Sequence, residues 1–161
     1  MQTELLGTPE QEKAFIFTIP AERGLSYNKI NSKYKYKILL VSQCWNFIDK
    51  SVSKGNRDLI DTEDIAKRVI NSISDLWIST DKDSNIMGCF VVGILAYPRA
   101  DVINFEAISG KFHFKYALPK VEEHYKSLGY DNFQMIGRKG WAKVMKPLGY
   151  SPSSSTIFKG T

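Results

Sequence analysis

The sequence predicts a mixed α/β domain of the α+β kind, a mostly antiparallel central sheet flanked by about four helices. Three observations predict it. Cys89–Ile94 and Val102–Ile108 are apolar at nearly every position, the pattern of strands covered on both faces. Around them lie segments whose apolar residues recur at three and four, as on one face of a helix. Finally, Leu128-Gly129-Tyr130 and Leu148-Gly149-Tyr150 repeat one stop signal. A glycine just past a helix end takes the left-handed conformation other residues resist, and its apolar neighbours pack across the stop. With 161 residues, 43% hydrophobic and 24% charged, the chain makes one ordinary domain with a sizeable core.

The first 32 residues read as an N-terminal extension, in which Phe15–Pro20 fits a short strand ended by proline and Glu22-Arg23-Gly24 a turn. Residues 33–161 form the domain proper. From Lys35 to Val52 the spacing predicts a helix with Ile38, Val41, Trp45, Ile48 and Val52 on its buried face, stopped near Gly55-Asn56. Asp61 or Thr62 offers an N-cap to a second helix, with Glu63 and Asp64 in its first turn and Ile65, Val69 and Ile73 facing inward. Leu76–Thr80 and Ile86–Tyr97 then form a hairpin across the polar turn Asp81–Asn85.

After the break at Pro98–Asp101, Val102–Ile108 gives another strand. A third helix runs from about Lys115 to Leu128, burying Leu118, Val121, Tyr125 and Leu128, with Pro119 in its first turn. Asn132–Ile136 is a short strand. Arg138–Leu148 is the last helix, burying Trp141, Val144, Met145 and Leu148, and Thr156–Phe158 closes as an edge strand.

Composition excludes more than it assigns. A net charge of +5 permits an anionic partner without demanding one. Cys44 and Cys89 fit reduced, buried thiols rather than a disulfide framework or a metal site. The strongly apolar run Cys89–Tyr97 is about half of the roughly 18 residues a membrane span needs. Met1-Gln2-Thr3-Glu4 lacks the basic and apolar regions of a signal peptide, so the expected location is a cytoplasm or a particle assembled there. Gly137-Arg138-Lys139-Gly140 has neither the Lys-Ser/Thr nor the glycine spacing of a P-loop, and hydrolase and metal motifs are missing.

The order of two helices, hairpin, strand, helix, strand, helix and strand resembles the GNAT fold of N-acetyltransferases over about Ile38 to Phe158. The likeness is carried by Asp75-Leu76-Trp77-Ile78, Ile86-Met87-Gly88 and Ile136-Gly137-Arg138-Lys139-Gly140-Trp141. These look like a phage-encoded branch of GNAT-like proteins, in the neighbourhood of podovirus internal-virion and accessory proteins. That resemblance implies a protein partner in the virion or host, and residence in the host cytoplasm or virion interior.

It also implies where chemistry would sit. The acetyl-CoA pyrophosphate loop of the family falls on Ser109-Gly110-Lys111-Phe112-His113-Phe114, of which Gly110 alone fits the motif. Phe112 and Phe114 stand where small residues would let phosphate reach backbone amides at a helix N-terminus, which marks the loop as degenerate. The family's thiolate-protonating tyrosine is replaced by Met145, which has no proton to give, and the nearest phenol is Tyr150, equally a packing residue after the glycine. Glu106, in an apolar strand, is either a general base acting through water or a strand-edge carboxylate paired with a lysine. His113 and His124 have no nucleophile beside them.

The expectation is therefore an accessory or binding protein without a cofactor, with an acetyl-CoA-dependent N-acetyltransferase as the alternative. Lys33-Tyr34-Lys35-Tyr36-Lys37 interleaves cations with rings, and Arg138, Lys139, Lys143 and Lys146 form a second basic group. They leave single-stranded nucleic acid as a further candidate partner.

Overall fold

Two apolar strands that need cover on both faces dictate a three-layer arrangement, and the chain supplies it. A computed structural model describes residues 2–3, 15–20, 26–31, 34–53, 60–110, 114–135 and 143–152, with side chains at 29–30, 35–53, 60–110, 117–135 and 143–152. Among the described residues seven strands lie side by side in chain order: β1 (Gln2–Thr3), β2 (Phe15–Pro20), β3 (Ser26–Asn31), β4 (Asp75–Thr80), β5 (Ile86–Ala96), β6 (Asp101–Gly110) and β7 (Phe133–Met135). Neighbours are antiparallel except β6 and β7, which are parallel and joined through a helix. The first 31 residues thus add three strands to the same sheet.

Helices α1 (Tyr34–Ser53) and α2 (Thr62–Ile70) cover one face, and α3 (Phe114–Ser127) covers the other. Alternation along the strands divides the core. Leu76, Ile78, Cys89 and Val91 meet α1 and α2, while Trp77, Phe90, Val92, Ile103 and Phe105 meet α3. Asp61 caps α2 with a reciprocal capping box. Its carboxylate accepts from Asp64 N at 2.8 Å, and the Asp64 carboxylate accepts from Asp61 N at 3.0 Å. In the β4–β5 turn, Asp81 accepts from the amides of Asp83 and Asn85 and from the Asn85 side chain. These bonds, the Asn85 side chain foremost, hold its carboxyl below the usual carboxylate range.

Both glycine stops form as predicted. Gly129 has φ +99° and Gly149 φ +91°. Tyr130 N donates back to Tyr125 O and Tyr150 N to Met145 O, the 6→1 bond of a Schellman motif in each case. The two tyrosines then pack against the α3-side core.

Several predicted faces rotate. In α1 the buried stripe is Tyr36, Leu40, Val41, Cys44, Ile48 and Val52, and Ile38 and Trp45 are each 40% exposed. Val41, Ile48 and Val52 belong to both stripes, so the tie is broken by the neighbours. The small Cys44 lets the helix approach Cys89 on β5, and both thiols are buried and reduced. The Cys44 thiol beside it and burial push Cys89 well up.

Ile73 falls past the end of α2 and is exposed, as are Leu128 and Val144. Helix α3 begins at Phe114, so Pro119 lies inside it rather than in the first turn. The end of the predicted last helix is one helical turn at 143–145 followed by a 3₁₀ turn, Lys146–Leu148, that contains Pro147. Its start with Trp141, the Glu22-Arg23-Gly24 and Gly55-Asn56 turns, and the Thr156–Phe158 strand lie outside the described residues. Among the described residues no helix is long and apolar enough to cross a membrane.

Candidate functional site

The site begins with a fault in the sheet. Phe105 pairs with Val92 and Ala107 with Val91, so Glu106 is an extra residue on β6, a β-bulge. The parallel pairing of β6 with β7 covers Ile103–Phe133, Asn104–Gln134 and Phe105–Met135 and stops just before the bulge. Among the described residues no strand pairs with the outer edge of β6 from Glu106 to Gly110. Edge amides there lack ladder partners, the arrangement that accepts an added extended ligand. One is already engaged, since Ile108 N donates to Ser51 Oγ of α1 at 3.1 Å.

The open segment ends at Ser109 and Gly110, paired with Cys89 and Gly88. Gly110 has φ +122°, a conformation restricted to glycine. A Cβ at Gly110 would lie 2.7 Å from Gly88 Cα and 2.9 Å from Met87 O, and one at Gly88 would lie 2.3 Å from Ser109 O. The two glycines are thus required by strand-on-strand approach, independently of any ligand. Helix α3 starts four residues after Gly110. Lys111, Phe112 and His113, and the side chain of Phe114, lie outside the described residues, and with them the expectation that two rings block the loop.

Glu106 is not a free carboxylate. Alternation from Phe105, which packs on the α3 side, places it on the α2 face, where its side chain is 7% exposed. Arg68 Nη2 donates to Oε2 at 2.8 Å, Arg68 Nε lies 3.1 Å from both oxygens, and Ser74 Oγ donates to Oε1 at 2.7 Å. Gly93 makes the room, for a Cβ there would lie 2.1 Å from Oε2. Of the two readings of Glu106, the geometry matches the paired one, with an arginine as the partner. Both oxygens accept from fixed donors, which leaves little capacity to take a proton from an acceptor amine.

Tyr150 is also engaged. Its hydroxyl donates to Glu122 Oε2 of α3 at 2.7 Å, and burial together with that carboxylate raises it above the usual phenol value. Met145 is buried in the core beneath it. His124 stacks edge-on against Trp77, and burial, then the Lys29 charge, hold it below the usual histidine value. Trp77 Nε1 donates to Tyr125 Oη at 2.9 Å, Tyr125 Oη donates to Asp75 Oδ2 at 2.7 Å, and Lys29 Nζ pairs with the same oxygen at 3.1 Å.

In the Lys33–Lys37 run Tyr36 is buried and cannot stack on a base, and the Lys33 and Tyr34 side chains are outside the described set. Lys143 and Lys146 are exposed, while Arg138 and Lys139 are outside it too. Among the described residues no group of three His, Cys, Asp or Glu is placed to hold a metal.

Sequence reasoning missed Arg68, Ser74, Ser51 and Glu122. The one signal for Arg68 was a cation next to buried Val69 on a helix facing an apolar strand that carries a single acid.

No family model and no curated protein sequence matches the chain. Solved structures do. A predicted acetyltransferase from Clostridium acetobutylicum, solved with acetyl-CoA, is 14% identical with TM-score 0.58, over 84% of this chain and 96% of that one. The aminoglycoside antibiotic 6'-N-acetyltransferase AAC(6')-Ih from Acinetobacter baumannii is 10% identical with TM-score 0.60, over 86% and 98%. A GCN5-related N-acetyltransferase from Ralstonia eutropha JMP134 is 6% identical with TM-score 0.59, over 84% and 98%. Such identities speak to architecture alone, and on that they agree: the chain has the N-acetyltransferase (GNAT) fold.

Proposed function

We propose that the chain is an acyl-CoA-dependent N-acyltransferase that works without a side-chain base at Glu106. The observation that carries this reading is the edge of β6 between the bulge at Glu106 and Gly110, which no strand pairs among the described residues and which begins where β7 stops pairing. Bound acetyl-CoA would supply an activated acetyl thioester to an acceptor amine. The residues fit such a ligand. Free edge amides of β6 can hydrogen-bond an extended, amide-rich chain in the manner of an added strand. The α3 N-terminal end favours negative charge.

With Glu106 held by Arg68 and Ser74, and Tyr150 by Glu122, the protein's own contribution is positioning and amide donation near the bulge. Placement of this kind supplies large factors by itself. The amine would lose its proton to solvent.

A second reading has its own support. Glu106 and Tyr150 are both tied down and Met145 is buried, which also suits an accessory protein on a GNAT scaffold that binds a virion or host protein. The phage setting of that reading rests on the sequence resemblance.

One assay separates the two: release of free CoA thiol from acetyl-CoA in the presence of polyamine, aminoglycoside and peptide-amine acceptors. Acceptor-dependent release supports the enzyme. Saturable acetyl-CoA binding counts against the accessory reading, which expects no cofactor, and absence of binding removes the enzyme.

A further inference from the structure

The turn after α2 and the start of β4 enclose a cleft of about 220 Å³ against the first turn of α1. It lies at the far end of β4 from Gly110, since Asp75 pairs with Val92 and Gly110 with Gly88. That is about 13 Å along the strands at roughly 3.3–3.4 Å per residue. Its polar walls are Lys29, Lys37, Ser72, Ser74 and Asp75, and its apolar floor is Ile30, Val69 and Leu76.

The charges in this cleft do not balance. Two ammonium groups face one carboxylate. Asp75 is already committed, taking Lys29 Nζ at 3.1 Å and the Tyr125 hydroxyl at 2.7 Å. Ser74 is committed to Glu106. Lys37 Nζ donates to Ser72 Oγ, a neutral acceptor, and among the described residues it meets no carboxylate.

The Lys37 ammonium sits at the exposed rim of the cleft, and the Ser72 hydroxyl does not replace a counter-charge. Ser72 is held against it by a left-handed turn, φ +62°, fixed by its own amide on Val69 O and the next amide on Arg68 O. Beneath these donors the floor residues are buried hydrocarbon, so the cleft has a cationic rim and an apolar base.

We infer that this cleft binds a small organic anion, its carboxylate or phosphate head at Lys37, Ser72 and Lys29 and its short carbon chain on Ile30, Val69 and Leu76. The site is separate from the β6 edge and does not depend on acyl transfer.

The test uses the full chain and two probes, butyrate and n-butyl phosphate, against sodium chloride at equal ionic strength. One of them raises the melting point saturably, by about 3–6 °C at roughly ten times its dissociation constant, and the better probe identifies the head group. Calorimetry on Lys37→Met shows at least a tenfold loss of affinity for that probe, with acetyl-CoA binding unchanged. Lys37→Gln, a second charge-removing variant on the partly exposed helix surface, reproduces the loss. The inference is overturned if neither probe exceeds the chloride control, or if both variants bind as the parent does.

Discussion

Replacing Arg68 with methionine strands the Glu106 carboxylate. The parent carboxylate, 7% exposed, takes the Arg68 donors at 2.8 and 3.1 Å and Ser74 at 2.7 Å. Methionine keeps most of the stem volume, so the cavity contribution is small and the cost is the unpaired charge. Breaking a fully buried pair costs about 3–5 kcal/mol. Arg68 is 34% exposed, which lets water reach part of the gap, so the expected loss is about 2–3 kcal/mol. In a chain of this size that lowers the melting point by about 5–10 °C.

Adding Glu106→Gln removes the charge that was stranded, so the double variant recovers to within about 1 kcal/mol of the parent, a coupling of about 2 kcal/mol. Equilibrium urea unfolding followed by tryptophan fluorescence reads all four corners of the cycle. A loss below about 1 kcal/mol for Arg68→Met, or a double variant no better than the single, would refute the reasoning. Glu106 would then be free for proton transfer.

Gly93→Ala places a Cβ 2.1 Å from Glu106 Oε2, displacing the carboxylate from Arg68, and costs about 2–3 kcal/mol by the same unfolding assay. Asp61→Ala removes the capping box of α2 and costs about 1 kcal/mol, read as a lower thermal midpoint in circular dichroism. Tyr150→Phe loses one hydrogen bond to Glu122, about 1 kcal/mol, and leaves any CoA release within roughly threefold of the parent; a hundredfold drop would make Tyr150 the proton donor. His124 sits below its usual value when folded, so on acidification the unfolded chain takes up that proton first. Stability then falls as pH drops below about 6.5, and His124→Gln flattens that part of the stability profile.

The elements that were legible in the sequence are those set by local requirements. Gly129 and Gly149 announce left-handed stops because no other residue accepts that backbone cheaply, and the cap of α2 was legible to within one residue, Asp61 or Thr62, of which the structure uses Asp61. The twofold cover of β5 and β6 followed from their continuous apolarity. What stayed hidden depends on distant partners.

Glu106 stood out as one acid in an apolar strand, but Arg68 and Ser74 lie 38 and 32 residues away, and nothing local distinguishes a base from half of an ion pair. The face of α1 was misjudged for a similar reason. Two stripes shared three residues, and the choice turned on Cys44 of α1 meeting Cys89 of β5 where the helix packs on the sheet. The bulge itself was not legible, since one acid in an apolar run does not say that it is the inserted residue.

Titration of acetyl-CoA into ¹⁵N-labelled protein tests most directly whether the β6 edge, unpaired among the described residues, is a ligand edge. The expected result is saturable shifts centred on the amides of Glu106 to Gly110, with the Ile108 amide among the largest as its bond to Ser51 is exchanged. Saturable binding that leaves these five amides in place, or no binding at all, contradicts it.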